Sequence, residues 1–220
     1  MSFFRAVLNQ YLVLICCLFI AATIRSDGFL EIFTPELLAK VTKDYGEEAA
    51  TRVSKLKRLL ERGQNLSEGD KLKLVNKYFN KIAFKHDKDH WGQEDYWATP
   101  VELLATAAGD CEDYSVAKYF SLRALGVAPE KLRLMYVKAI RINQAHMVLT
   151  YYETPDAMPL VLDNLTNKIK KASERKDLVP VYSFNAEGLW QSKALNRGKR
   201  IIENSQQPWY ELLERIESGY

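Results

Sequence analysis

The sequence has little cysteine. Three cysteines occur in 220 residues, and two of them, Cys16 and Cys17, lie in an apolar run near the N-terminus. If that segment is removed on export, Cys111 is the one thiol left, and a single cysteine cannot form an internal disulfide bond. A free thiol in an oxidising compartment is a chemical liability. Cys111 is therefore either a reactive group or a small buried apolar side chain.

The apolar run itself is too short to span a bilayer. Residues 11–22 form an unbroken run of 12 residues, whereas a transmembrane helix needs roughly 18 or more. Arg5 precedes the run, as in an export signal, so we predict a signal peptide at residues 1–26 and a single domain at residues 27–220. An uncleaved N-terminal anchor stays open because no clean cleavage site follows the run.

The chain also lacks a large excess of charge. Its formal net charge is +3, and residues 1–26 contribute two positive charges and no acid, which leaves +1 for the remainder. Such a balance gives no global field that would favour nucleic acid. No internal repeat or low-complexity tract occurs, and the length suits one well-buried core.

Apolar residues recur at helical spacing in the first half of the chain and alternate as in strands after it. The predicted helices span residues 35–63 with a division at Gly46, 67–83, 100–108, 111–125 and 207–216. The predicted strands span residues 132–140, 145–152 and 160–165. Helices first and an antiparallel sheet after them predict an α+β domain.

Two stretches carry neither period and are predicted as loops. Residues 84–96 are polar and aromatic by turns. Residues 166–177 are basic, and we predict a solvated hairpin or loop there. The basic residues of this second stretch are Lys168, Lys170, Lys171, Arg175 and Lys176.

Cys111 follows Gly109 and Asp110 at the start of a predicted helix. The unpaired amides and the dipole at a helix N-terminus favour an anion, and the thiolate is the reactive form of cysteine. The position therefore suits a nucleophile.

The sequence has only three histidines, so few residues can serve as a base. His146 lies in one apolar strand and Asp163 in the next, where an ionisable side chain is costly without a partner. We predict that the two pair, with His146 taking the proton of Cys111 and Asp163 orienting the imidazole. A purely structural pair remains an alternative.

Three carboxylates, Asp110, Glu112 and Asp113, surround Cys111. They would raise the pKa of the thiol by like-charge repulsion, and a cation would cancel that effect. Hard oxygen ligands suit Ca²⁺ better than a soft metal. The alternative is that Asp110 and Asp113 simply cap the helix.

His86 and His90 suggest a different metal, because two histidines four residues apart on a helix can bind zinc. No glutamate follows His86 directly, however, and the surroundings are polar and aromatic. These features favour a solvated loop.

Several segments together resemble the bacterial transglutaminase-like cysteine proteinases. They are W-G-Q-E-D-Y-W-A-T-P at residues 91–100, G-D-C-E-D-Y at 109–114, A-H-M-V-L at 145–149 and L-D-N at 162–164. The similarity covers about residues 65–190. It implies a papain-like, transglutaminase-type fold, a Cys-His-Asp triad and bound calcium. These map onto Cys111, His146 and Asp163 for catalysis, and onto Asp110, Glu112 and Asp113 for the metal.

The same resemblance implies a biological role. Family members of this type act in the periplasm and cut a large repeat adhesin near its N-terminus at a small-residue, di-alanine-type sequence. The cut releases the adhesin and promotes biofilm dispersal. An inner-membrane receptor of the LapD type sequesters the enzyme when cytoplasmic cyclic-di-GMP is high.

Some choices remain open in the sequence. An oxyanion hole needs a donor beside the backbone N–H of Cys111, and Trp97 or Tyr96 is a candidate for it or for part of the substrate groove, although aromatic residues before a helix commonly serve packing. Acyl transfer to an amine, as in transglutaminases, would use the same triad. A non-catalytic periplasmic binding module would use none of it.

Overall fold

The computed structural model of the protein describes residues 29–185, 188–191, 200–201 and 207–220. The predicted signal peptide at residues 1–26 lies outside these ranges. Within them, no helix has both the length and the apolar character needed to cross a bilayer.

Helices make up most of the described chain before residue 125 and return at its C-terminal end. They are α1 (Pro35–Tyr45), α2 (Glu47–Gly63), α3 (Glu68–Phe79), α4 (Asp87–His90), α5 (Pro100–Thr106), α6 (Cys111–Ala124) and α7 (Gln207–Glu217). Gly46 separates α1 from α2 as predicted. Its φ of 87° lies in the left-handed region, which glycine adopts without a Cβ penalty.

The strands form two sheets within the described residues. A parallel pair joins β1 (Ala83–Phe84) to β2 (Ala108–Gly109). The larger sheet is antiparallel and has the order β6-β5-β4-β3-β7-β8-β9. Its strands are β3 (Leu132–Ala139), β4 (Gln144–Tyr151), β5 (Leu160–Leu162), β6 (Lys170–Lys171), β7 (Leu178–Asn185), β8 (Gly188–Gln191) and β9 (Arg200–Ile201). The predicted α+β class is confirmed.

Helix α6 occupies the centre of the fold. It packs against β3, β4, α3 and α5, and nearly all of its side chains are buried, as expected for a helix with neighbours on every side. Strand β3 is buried on both faces. Leu134 belongs to the main core with the helices, whereas Met135 and Val137 belong to a smaller apolar cluster. The start of α6 is thereby fixed against the sheet.

Several predicted boundaries differ from the structure. The helix predicted at residues 100–108 ends at Thr106, because Ala107 takes the left-handed conformation and Gly109 joins β2. The predicted loop at residues 84–96 contains part of β1 and all of α4. The strand predicted at residues 160–165 ends at Leu162, so Asp163 follows β5.

Strand β7 was not predicted at all. It contains Pro180, which cannot donate a hydrogen bond to a neighbouring strand and normally argues against a central position. The pairing of β3 with β7 shifts register between Tyr136 and Val137, and Val137 is the partner of Pro180. This irregularity in the pairing lies beside Pro180, and it explains how the sheet accommodates a residue that has no N–H to donate.

The turn from β2 into α6 leaves no room beside Gly109. A Cβ added there would lie 2.5 Å from Oδ2 of Asp113 and 2.6 Å from Cδ1 of Leu103. The same Oδ2 accepts the N–H of Asp110 at 3.1 Å and caps α6. Any side chain at position 109 must therefore displace this capping carboxylate.

We expect Gly109→Ala to lower the free energy of unfolding by about 1–3 kcal/mol, because it overpacks a buried turn. Urea denaturation measures the change. Gly69→Ala is the control: Gly69 lies in α3 with nothing within 4 Å of an added Cβ, so its stability should equal or slightly exceed that of the wild type. A Gly109→Ala protein as stable as the wild type would show that the turn relaxes freely.

Candidate active site

Cys111 is the first residue of α6, as predicted. Oγ of Ser115, one turn further along, lies 2.8 Å from the carbonyl oxygen of Cys111 and 3.1 Å from that of Met147. Met147 is the neighbour of His146 on β4. One hydroxyl therefore ties the start of α6 to the strand that carries the predicted base.

His146 and Asp163 are paired. Nε2 of His146 lies 2.8 Å from Oδ1 of Asp163, and the two residues are only 4% and 1% exposed. With an ionised Asp163, Nε2 carries the hydrogen and Nδ1 is the basic nitrogen. The imidazole is thus held in the form that can accept a proton from a thiol.

Several groups keep Asp163 ionised. Its Oδ1 also accepts the N–H of Leu165 at 2.9 Å, and its Oδ2 accepts Nη2 of Arg175 at 2.6 Å. Burial alone would raise the pKa of Asp163. The hydrogen bonds and the charge of its partners outweigh burial and lower the pKa to about 2.

The thiol has the opposite environment. Sγ of Cys111 donates to Oε2 of Glu112 at 2.9 Å. Burial and the charges of Glu112 and Asp110 raise the pKa of Cys111, and the backbone N–H of Met147 only partly opposes them. This environment favours the neutral thiol over the thiolate.

Five carboxylates cluster near the start of α6, and two of them, Asp110 and Glu112, have oxygens within 4.8 Å of Sγ of Cys111. The three predicted from sequence are joined by Asp87, from the start of α4, and by Asp95, from the segment before α5. Oxygens of Asp87, Asp110 and Asp113 lie within 4.8 Å of one another, and so do those of Asp87, Asp95 and Glu112. Sequence periodicity gave no signal for the two added residues, because both lie in the stretch predicted as a loop.

This acidic cluster, which comprises Asp87, Asp95, Asp110, Glu112 and Asp113, fits a cation that prefers oxygen ligands. Oδ1 of Asp87 and Oδ1 of Asp110 are buried without a hydrogen-bond partner in the described part of the chain. Burial and mutual repulsion raise the pKa of Asp87 to about 6 and that of Glu112 to about 10, and they also raise the pKa of Asp110 and Asp113. A positive ion would reverse these shifts.

Asp113 has a second role. Its Oδ1 accepts the N–H of Ala98 at 2.7 Å, and its Oδ2 forms a capping box with Asp110 at the start of α6. Asp113 therefore caps the helix, as the alternative proposed, and its carboxylate also belongs to the acidic cluster.

The two histidines of the zinc hypothesis do not come together with other ligands. His86 stacks edge-on against Phe84, with ring centroids 4.9 Å apart. Neither His86 nor His90 belongs to any group of three potential metal ligands among the residues that the structure describes.

The two aromatic candidates for an oxyanion donor already donate elsewhere. Nε1 of Trp97 donates to Oδ1 of Asp95 at 3.0 Å, and the hydroxyl of Tyr96 donates to Oε1 of Glu102 at 2.8 Å. An oxyanion role for either residue would require its hydrogen bond to break. The backbone N–H of Cys111 stays available as the first donor, since the first amides of a helix have no partner within the helix.

Comparison with known proteins places the chain in a family. The family described as bacterial transglutaminase-like cysteine proteinase (BTLCP) matches residues 39–192. No curated protein matches significantly.

Solved structures of LapG from Legionella pneumophila match most of this chain. The calcium-bound form is 40% identical over 82% of this chain and 98% of its own, with a TM-score of 0.72. The EGTA-treated form is also 40% identical, over 82% and 96% of the two chains, with the same TM-score of 0.72. The fold, the matched residues and the identity agree. This chain belongs to the bacterial transglutaminase-like cysteine proteinases.

Proposed function

We propose that the protein is a calcium-dependent periplasmic cysteine endopeptidase in which Cys111, His146 and Asp163 form the catalytic triad. The observation that carries the proposal is the buried His146–Asp163 pair, whose strand neighbour Met147 contacts the thiol of Cys111 at the N-terminus of α6 through its backbone. This is the thiol form of the nucleophile, base and orienting acid arrangement.

In the proposed reaction, Nδ1 of His146 takes the proton of Cys111, and the thiolate attacks the carbonyl carbon of the scissile peptide bond. The protonated His146 then gives its proton to the leaving amine, which departs and leaves an acyl-enzyme. Water, activated by His146, hydrolyses the thioester and regenerates the thiol. Asp163 stays ionised throughout and holds the imidazole ring in place.

The backbone N–H of Cys111 is the proposed first donor of the oxyanion hole. It lies at the positive end of the α6 dipole, where the charge of a tetrahedral intermediate is stabilised.

Calcium is proposed to bind in the acidic cluster. Asp87, Asp95, Asp110 and Glu112 would supply ligands, with Asp113 beside them. Bound there, the ion supplies positive charge that offsets the carboxylates next to the thiol. Supporting this, buried carboxylate oxygens lack partners here, and a similar structure is that of a calcium-bound LapG.

The proposed substrate is a large cell-surface repeat adhesin, cut near its N-terminus at a small-residue, di-alanine-type site so that biofilm dispersal follows. The proposed regulator is the periplasmic domain of a LapD-type cyclic-di-GMP receptor, which would sequester the enzyme. The resemblance of residues 91–100 and 109–114 to the family, and the similarity to LapG, support both proposals.

The triad predicts that Cys111→Ala and Asp163→Asn lose peptidase activity, by roughly 10³-fold or more for the cysteine variant. Gel electrophoresis of a purified adhesin fragment with a di-alanine segment measures cleavage. Asp156→Asn, which replaces an exposed aspartate, is the matched control and should cleave normally. A labelled amine included in the assay tests the rival chemistry, since amine incorporation without chain cleavage would identify an acyltransferase.

The calcium proposal predicts that a chelator lowers both activity and melting temperature. At a free calcium concentration about a hundred times the dissociation constant, an ion that binds only the folded state adds roughly 2.7 kcal/mol to the free energy of unfolding. This corresponds to a rise of about 5–10 °C in the melting temperature. Asp87→Asn should lose most of this gain. Asp89→Asn should keep it, because Asp89 lies on the same turn but is exposed. If the chelator changes neither quantity in the wild type, the carboxylates act only as caps.

A further inference from the structure

Arg175 is buried, although the basic stretch around it is predicted to be solvated. It is 5% exposed, whereas the adjacent Lys176 is exposed. Its backbone is fixed within a tight turn: its N–H donates to the carbonyl of Ala172 at 3.0 Å, and its carbonyl accepts the N–H of Leu178 at 3.1 Å. An arginine is rarely placed in such a position without a partner.

The guanidinium of Arg175 joins two carboxylates. Nη2 donates to Oδ2 of Asp163 at 2.6 Å and to Oδ2 of Asp177 at 2.8 Å, while Nε donates to Oδ1 of Asp177 at 3.0 Å. The two contacts with Asp177 hold the planar fork in one orientation. Asp177 thus orients Arg175, and Arg175 in turn contacts the acid that orients His146.

The two oxygens of Asp163 therefore have separate partners. Oδ1 accepts from His146 and from the backbone of Leu165, and Oδ2 accepts from Arg175. The torsion that rotates a carboxylate group is soft by itself. Here rotation would break a charge-assisted hydrogen bond on each side, so the plane of the carboxylate is fixed.

The basic side chains around Asp163 favour its ionised form, and the acid Asp177 offsets part of their positive charge. His146 faces it from β4, the buried Lys118 from α6, and Arg175 from the turn before β7. Asp177, which is partly exposed, forms an ion pair with Arg175 and so partly neutralises the charge of the guanidinium. Asn80 donates to the backbone carbonyl of Asp163 at 2.8 Å and fixes the main chain.

We propose that Arg175 is a positioning residue of the active site, which holds Oδ1 of Asp163 on Nε2 of His146 through its own fork on Oδ2. The inference rests on the proposed triad. A residue that only anchored its turn would affect stability and leave the turnover of folded protein unchanged. A positioning residue changes the orientation of the imidazole, and with it the reactivity of Cys111.

The test measures the reactivity of Cys111 without a substrate. Full-length protein in calcium-containing buffer is treated with iodoacetamide, and mass spectrometry of the Cys111 peptide gives the alkylation rate. The kcat and KM for the adhesin fragment are measured in parallel. The variants are Arg175→Met, Arg175→Lys and Asp163→Asn, with Lys176→Met as the matched control.

We expect Arg175→Met to lower the alkylation rate and kcat by about 10- to 100-fold, by analogy with the loss when an outer-shell partner of a metal-bound imidazole is removed. KM should stay within about twofold, since no substrate contact is lost. Arg175→Lys, which keeps the charge but loses the fork, should fall between Arg175→Met and the wild type. Lys176→Met should match the wild type.

The double variant decides how Arg175 acts. In an Asp163→Asn background, Arg175→Met should have little further effect on alkylation or kcat, because its route to His146 is already lost. A folded Arg175→Met protein with an unchanged rate, or an equal loss in both backgrounds, would overturn the proposal. If Arg175→Met does not fold, an Arg175→Lys rate within about twofold of the wild type overturns it. A normal rate for Asp163→Asn alone would instead refute the triad.

Discussion

The buried carboxylate of Asp113 connects the segments that build the site. Asp113 has no exposed surface, and its oxygens accept backbone N–H groups from Ala98, just before α5, and from Asp110, at the start of α6. Gly109 is required beside it, because any larger residue would meet the carboxylate. The aromatic segment at residues 91–100 is thereby held against the helix that presents Cys111. The acidic cluster depends on this contact, because Asp87 and Asp95 come from the segment before α5 and the other carboxylates come from the start of α6.

The features that the sequence predicted best are those set by neighbouring residues and those in which an ionisable group would be unfavourable without a partner. Gly109, Asp110 and the acid three residues later predict a capped helix start, and Cys111 lies there. His146 and Asp163 could be paired from sequence because each is an ionisable residue in an apolar strand pattern, where a solitary charge is strongly unfavourable. Pairing the two side chains lets both be buried without leaving a solitary charge. This physical constraint made the pair predictable from the sequence.

What the sequence did not predict depends on contacts between distant or irregular segments. Asp87 and Asp95 join the acidic cluster from a stretch without periodicity, in which the N–H of Tyr96 donates to Asp87 at 2.6 Å. Arg175 looked solvated because its neighbours are basic, and only the fold shows that its side chain turns inward to Asp163. In β7, Pro180 hid a strand that the register shift accommodates. In each case a local rule was overridden by a tertiary contact.

The charges on the two sides of His146 differ in origin, and this difference bears on how the enzyme would be controlled. On one side the chain itself supplies the groups that outweigh burial and lower the pKa of Asp163 to about 2, namely His146, the N–H of Leu165 and Arg175. On the other side the described residues place carboxylates around the thiol, and Glu112 accepts a hydrogen bond from Sγ of Cys111. In the proposed function, a cation held by Glu112 would favour formation of the thiolate. In the proposed function, metal binding, fold stability and formation of the thiolate are linked, so activity follows the supply of a cation.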